Sequence, residues 1–103
     1  MIDTDNYEIS TTDWNGITLE IRWQPEWISY DDGTGFAHLE VESIPYGTPI
    51  PVSETGYKSH FVHSEAVNRL GGPLNYVEAW LAQAARSPKW QQADMARRQL
   101  ALF

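Results

Sequence analysis

Gly71-Gly72-Pro73-Leu74-Asn75-Tyr76-Val77-Glu78-Ala79-Trp80-Leu81-Ala82-Gln83-Ala84-Ala85-Arg86-Ser87 is the stretch whose reading decides the fold. Pro73 suits a first helical position, where its missing N–H would have no partner in any case, and Pro88 stops continuation at the far end. At about 100° per residue, Leu74, Val77, Trp80, Leu81, Ala84 and Ala85 share one stripe, with Asn75, Glu78, Ala82 and Arg86 opposite. Glu78 lies towards the positive end of the helix dipole and Arg86 at the negative end. Such a helix, about 22 Å long, needs an apolar surface to cover.

The first half of the chain supplies that surface as strands. Tyr7, Ile9 and Thr11 alternate with Glu8, Ser10 and Thr12, and the Asn15-Gly16 pair that follows favours a tight hairpin. Ile17, Leu19, Ile21 and Trp23 then alternate with Thr18, Glu20, Arg22 and Gln24, in the clearest period-two run of the sequence, which Pro25 is expected to end. Pro25 to Gly35 reads as a loop packed by its aromatics. Ala37, Leu39 and Val41 against His38, Glu40 and Glu42 predict a third strand. Pro45, Pro49 and Pro51 make the next connection stiff, and Tyr57 to Val62 predicts a fourth strand.

Three helices follow in this reading. Ser64 is expected to cap a short one through Leu70, closed by Gly71; the Pro73 helix comes next; Ser87-Pro88 repeats the cap-then-proline start for a last helix to about Gln99. Strands first and helices afterwards give an α+β domain over residues 1–103: an antiparallel sheet of three or four strands with two or three helices packed on one face. Residues 1–6 show no periodicity and are expected to lack fixed structure. The predicted core joins Ile17, Leu19, Ile21, Trp23, Leu39 and Val41 to Leu74, Val77, Trp80 and Leu81.

The chain has 103 residues, five Trp and no Cys, which excludes disulfides and thiolate metal sites. Its start is acidic where a secretory signal is basic, and no apolar run approaches a membrane span, so a soluble, cytoplasmic protein is expected. The net charge of −7 is divided unevenly: residues 1–57 hold eleven acids and one base, Arg22, and residues 58–103 hold three acids and six bases. An acidic half repels phosphate backbones and attracts cationic surfaces, which disfavours direct nucleic-acid binding and favours a basic protein partner.

Few residues suggest catalysis. His60 and His63 are too close in sequence for ordinary zinc-finger spacing and face apart on a strand. Ser59 and His60, as strand neighbours, also face apart, and no Gly-x-Ser-x-Gly elbow is present. Tyr57, Lys58 and His60 remain the residues on which a small enzyme would be built, but the chain reads as non-catalytic, with no metal and no cofactor. Glu20, Glu40 and Glu42 fall on the outer sheet face, Glu40 and Glu42 about 6.7 Å apart along their strand. That is near the rise of two phosphates in a DNA strand, about 6.8 Å, so carboxylates could stand where a cationic channel expects phosphates; ordinary solvation explains the same pattern. Trp27 and Tyr30, beside Asp31 and Asp32, are the candidate exposed anchors.

Gln99, Leu100, Leu102 and Phe103 resemble the short motif with which bacterial DNA polymerases and repair proteins dock into the sliding clamp; the same apolar residues could instead fold back onto the core. Glu54-Thr55-Gly56-Tyr57-Lys58-Ser59-His60-Phe61, with Gly71-Gly72-Pro73, Tyr76-Val77-x-Ala79-Trp80-Leu81 and the closing Gln-Leu-x-Leu-Phe, is similar to a family of short proteins of bacterial plasmids and prophages. The likeness covers roughly residues 17–24 and 37–103. It carries no activity or site residues with it, and implies a setting in mobile DNA, where small acidic proteins block restriction or CRISPR defences. The expected function is therefore an anti-CRISPR or anti-restriction inhibitor that engages a basic, nucleic-acid-handling host protein, with a clamp-tethered replication or repair accessory factor as the alternative.

Overall fold

A computed structural model describes residues 7–31 and 35–100, the side chains of Gln99 and Leu100 excepted. Four strands come first, β1 (Glu8–Trp14), β2 (Ile17–Ser29), β3 (Gly35–Ile44) and β4 (Tyr57–His63), followed by α1 (Ser64–Arg69), α2 (Pro73–Ala84) and α3 (Pro88–Leu100). The strands form one antiparallel sheet in the order β1-β2-β3-β4. This is the α+β architecture expected, with four strands and three helices. No helix among the described residues is long and apolar enough to cross a membrane.

The turn between β1 and β2 is the two-residue one that Asn15-Gly16 favours. Both residues have positive φ, 48° and 84°, the handedness that matches strand twist, and Trp14 pairs directly with Ile17. That pairing sends Leu19, Ile21 and Trp23 to one side and Glu20 and Arg22 to the other.

β2 does not end at Pro25. The pairing with β3 shifts between Gln24 and Ile28, and the strand resumes to Ser29, so the expected loop over residues 25–29 is strand. Proline lacks a ladder donor, and the irregularity places it where no ladder bond is demanded. The Pro25 carbonyl accepts instead from Ser64 Oγ at 2.7 Å. This contact also corrects the expected start of α1: Ser64 spends its hydroxyl on Pro25, and His63 occupies the cap position without a side-chain bond.

Leu19, Ile21, Trp23, Ala37, Leu39 and Val41 from the sheet meet Val67 of α1 and Val77 and Leu81 of α2 in one buried cluster. Burying each Val, Leu or Ile side chain among them stabilises by about 1.5–3 kcal/mol as an upper estimate. Ile17 and Trp80 pack against this cluster partly buried, whereas Leu74, expected inside, is 38% exposed on the first turn of α2. α2 is also shorter than its apolar stripe suggested and closes at Ala85, whose N–H donates to Leu81 O at 2.8 Å.

Ile50, from the proline-rich connection, fills the core beside these residues at 2% exposure. That connection is held close: a Cβ on Gly56, at φ 81°, would lie 2.6 Å from Thr48 O and 2.2 Å from Ser43 Oγ, so only glycine fits. α3 is attached more lightly. Trp90 meets Trp14 at 6.1 Å between ring centroids, and Arg97 lies over the Trp90 ring and donates to Pro49 O. Ser87 Oγ accepts from Trp90 N–H at 3.1 Å, the cap that Ser87-Pro88 predicted.

Candidate functional site

The helices and the core lie on one side of the sheet, and the strand register orders the other side into rows. Thr11, Glu20, Glu42 and Tyr57 make one row; Ile9, Arg22, Glu40 and Ser59 the next; Gln24, His38 and Phe61 a third; Ile28, Phe36 and His63 a fourth. Two charged rows therefore adjoin two aromatic ones.

Arg22 is the hub of the charged rows. Its Nη1 bonds Glu20 Oε2 and lies 3.2 Å from Glu42 Oε1, while its Nη2 is 3.5 Å from Glu40 Oε2. The Tyr57 hydroxyl donates to Glu40 from the far strand. Burial works against the Arg22 charge, but Glu40, Glu42 and Glu20 outweigh it and raise its pKa above the ordinary arginine value. The three carboxylates are thus gathered on the outer face as expected. The face also has a feature that the expectation lacked: the one base of the first 57 residues stands at its centre, leaving three negative groups against one positive.

The aromatic rows are built around His38, 3% exposed. Its ring stacks on Phe61 at 4.5 Å between centroids, with Trp27 at 5.2 Å and Tyr7 edge-on at 5.7 Å. A proton on Nε2 lets His38 donate to Ser59 Oγ at 2.7 Å and accept at Nδ1 from the buried Tyr7 hydroxyl, so each proton has a partner. Burial lowers the His38 pKa, Glu40 opposes this and Arg22 adds to it. Below this row His63 stacks on Phe36 at 4.3 Å, and Tyr30 meets Phe36 edge-on.

Trp27 accordingly is half-buried against His38 and Phe61, while Tyr30, 51% exposed, and Asp31 stand in solvent. Asp32 lies outside the described residues. So do Leu102 and Phe103 of the clamp-like sequence; α3 carries the backbone of Gln99 and Leu100 in helical form.

Tyr57, Lys58 and His60 are not brought together. Tyr57 faces outward to Glu40, whereas Lys58 and His60 pair with Val41 and Leu39 and face the helices. His60 Nε2 bonds the Tyr76 hydroxyl at 3.1 Å and its ring packs 4.6 Å from Trp80, with burial, and secondarily Lys58, lowering its pKa. His60 and His63 face opposite ways, as expected, and no cluster of metal-ligating side chains occurs among the described residues.

Sequence reasoning puts Arg22 and His38 on the polar side of their strands, as the structure does, but counts neither them nor Phe61 among the site residues. A lone Arg among alternating acids was a visible signal. The pairing of His38 with Ser59 depends on the β3–β4 register, across a connection whose length fixes no register.

No curated protein sequence and no solved structure matches the chain. The family model of the KlcB third domain matches residues 7–90, which span all four strands, α1, α2 and the start of α3, so that Gln99 and Leu100 lie beyond the matched part. A match over most of the chain, taking in every strand of the sheet, places this protein in the KlcB third domain family, a plasmid-associated protein family.

Proposed function

We propose that this plasmid-associated protein is a non-catalytic binding protein, of anti-CRISPR or anti-restriction type, that acts in the cytoplasm. It inhibits a host nucleic-acid-handling defence protein by occupying that protein's basic surface with its open sheet face. The observation that carries this reading is the gathering of Glu20, Glu40 and Glu42 around the single Arg22 on the side of the sheet that no described helix covers. Glu40 is engaged by Arg22 and Tyr57, and Glu20 and Glu42, with side-chain exposures of 31% and 26%, are the carboxylates that a partner's cations reach. The same charge disfavours nucleic acid itself as the ligand.

The test is plasmid transformation of hosts that carry a defined restriction or CRISPR system, with the protein expressed beforehand. Protection is expected in a defended host and absent in its defence-deleted counterpart. Glu20→Gln with Glu42→Gln, which keeps the Arg22–Glu40 pair, is expected to abolish protection, and removal of residues 99–103 to leave it intact. The reverse pattern would favour the sliding-clamp tether, and failure to protect against any such system would end the proposal.

A further inference from the structure

We infer that the aromatic rows of the open face are an arginine-selective docking surface, and that the segment seated there is a basic stretch of partner protein presenting a guanidinium to the exposed Phe61 ring. The inference rests on the proposed role of this face and goes further in naming the side chain that it reads. Phe61 is 52% exposed although it is held from behind by Trp27 and by the stacked His38 ring, so a flat aromatic surface is fixed in place and faces solvent. Ile28 and Tyr30, 44% and 51% exposed, extend it along the sheet. One row away stand Ser59 and Glu40, and one row further Glu42 and Glu20.

Charge decides the occupant. An exposed Phe61 ring beside carboxylates that outnumber their guanidinium three to one repels an acidic or phosphorylated segment and attracts a cationic one. Geometry then separates the two cationic side chains. A guanidinium is planar, stacks on a ring and still directs its edge N–H groups to oxygens beside it, whereas an ammonium is a strongly hydrated point charge. The molecule makes both kinds of contact with its own arginines: Arg22 bridges carboxylates, and Arg97 lies 5.2 Å from the Trp90 ring centroid while pairing with Asp94. In an extended segment running along the face, basic residues two apart would meet Phe61 and then the carboxylate rows, because the rows repeat every two residues.

The test is binding of labelled nona-arginine and nona-lysine peptides to the full chain by fluorescence anisotropy at physiological salt. The arginine peptide is expected to bind about tenfold tighter, within the range of an aromatic–guanidinium contact. Phe61→Leu is expected to bring its affinity down to that of the lysine peptide and leave the latter unchanged. Glu20→Gln with Glu42→Gln should weaken both peptides alike. Equal affinities in the parent chain, no response to Phe61→Leu, or no binding of either peptide would overturn the inference. Loss of arginine preference alone leaves the charge-based reading of the face standing, whereas indifference of both peptides to the two Glu→Gln changes removes that reading too.

Discussion

Arg22 on β2 reaches Glu42 on β3 with Nη1 3.2 Å from Oε1, and it holds Glu20 and Glu40 at the same time. Both members of the Arg22–Glu40 contact are largely shielded, with side-chain exposures of 20% and 14%. Removing the cation leaves three carboxylates facing one another with reduced access to water, which costs more than an exposed ion pair returns. Arg22→Leu is therefore expected to destabilise the fold by about 2 kcal/mol at neutral pH, and by less at high salt. Urea denaturation at low and high salt reads both; an unchanged midpoint would contradict the arrangement.

Stability should have an acid limb and an alkaline limb. Burial holds His38 below its usual value, against Glu40 and with Arg22, and burial and Lys58 do the same for His60. The unfolded chain then binds more protons just below about pH 6.5. The contribution of these residues is complete above that pH and is lost as pH falls through the folded values. Tyr7, Tyr57 and Tyr76 are shifted upward, first by burial and, for Tyr57, also by its bond to Glu40. Their contribution is complete below about pH 10 and is lost as pH rises through the folded values. Thermal melts from pH 5 to 11 should show a plateau near pH 7–9, and His38→Gln should flatten the acid limb.

The contact between sheet and helix can be tested from either side. Leu81 on α2 and Leu39 on β3 are both fully buried. Leu81→Ala should cost about 2–5 kcal/mol. Leu39→Asp places a charge in the same cluster and should abolish the cooperative melt. A melt like that of the parent in either variant would mean that the helices do not cover this face.

α3 should come away without unfolding the sheet. Among its described side chains none is fully buried, and Trp90 supplies its ring contact with Trp14 and the platform for Arg97. Trp90→Ala is expected to lower helical circular dichroism by about one helix and to speed amide exchange over α3, with β2 and β3 still protected. Uniform loss of protection across the sheet would show instead that α3 is integral to the core.

How much of this could be read from the chain varies from element to element. The side assignment of Leu19, Ile21, Trp23, Leu39 and Val41 followed from period-two alternation, and Val77 and Leu81 from the 3.6-residue stripe, because burial on one side imposes those periods. Leu74 carries the same pattern but sits in the first turn of α2 and is 38% exposed. Pro25 reads as a stop, since a proline cannot donate to a ladder; an irregular register excuses that donor, and nothing local in the sequence announces it. For the face itself, the Asn15-Gly16 turn fixes Ile9 opposite Arg22 and Thr11 opposite Glu20, so half of each of the two charged rows is legible in the sequence, and none of the aromatic ones. The meeting of Arg22 with Glu40, and of His38 with Phe61 and Ser59, depends on longer connections whose register is set by the finished core.

Because the core cluster lies on one side of the sheet, the two surfaces tolerate substitution unequally. Glu20, Glu42 and Phe61 keep more of their surface in solvent than Arg22, Glu40 and His38, so exchanging them costs the fold less. At those positions the open face can be altered side chain by side chain without rebuilding the core beneath it.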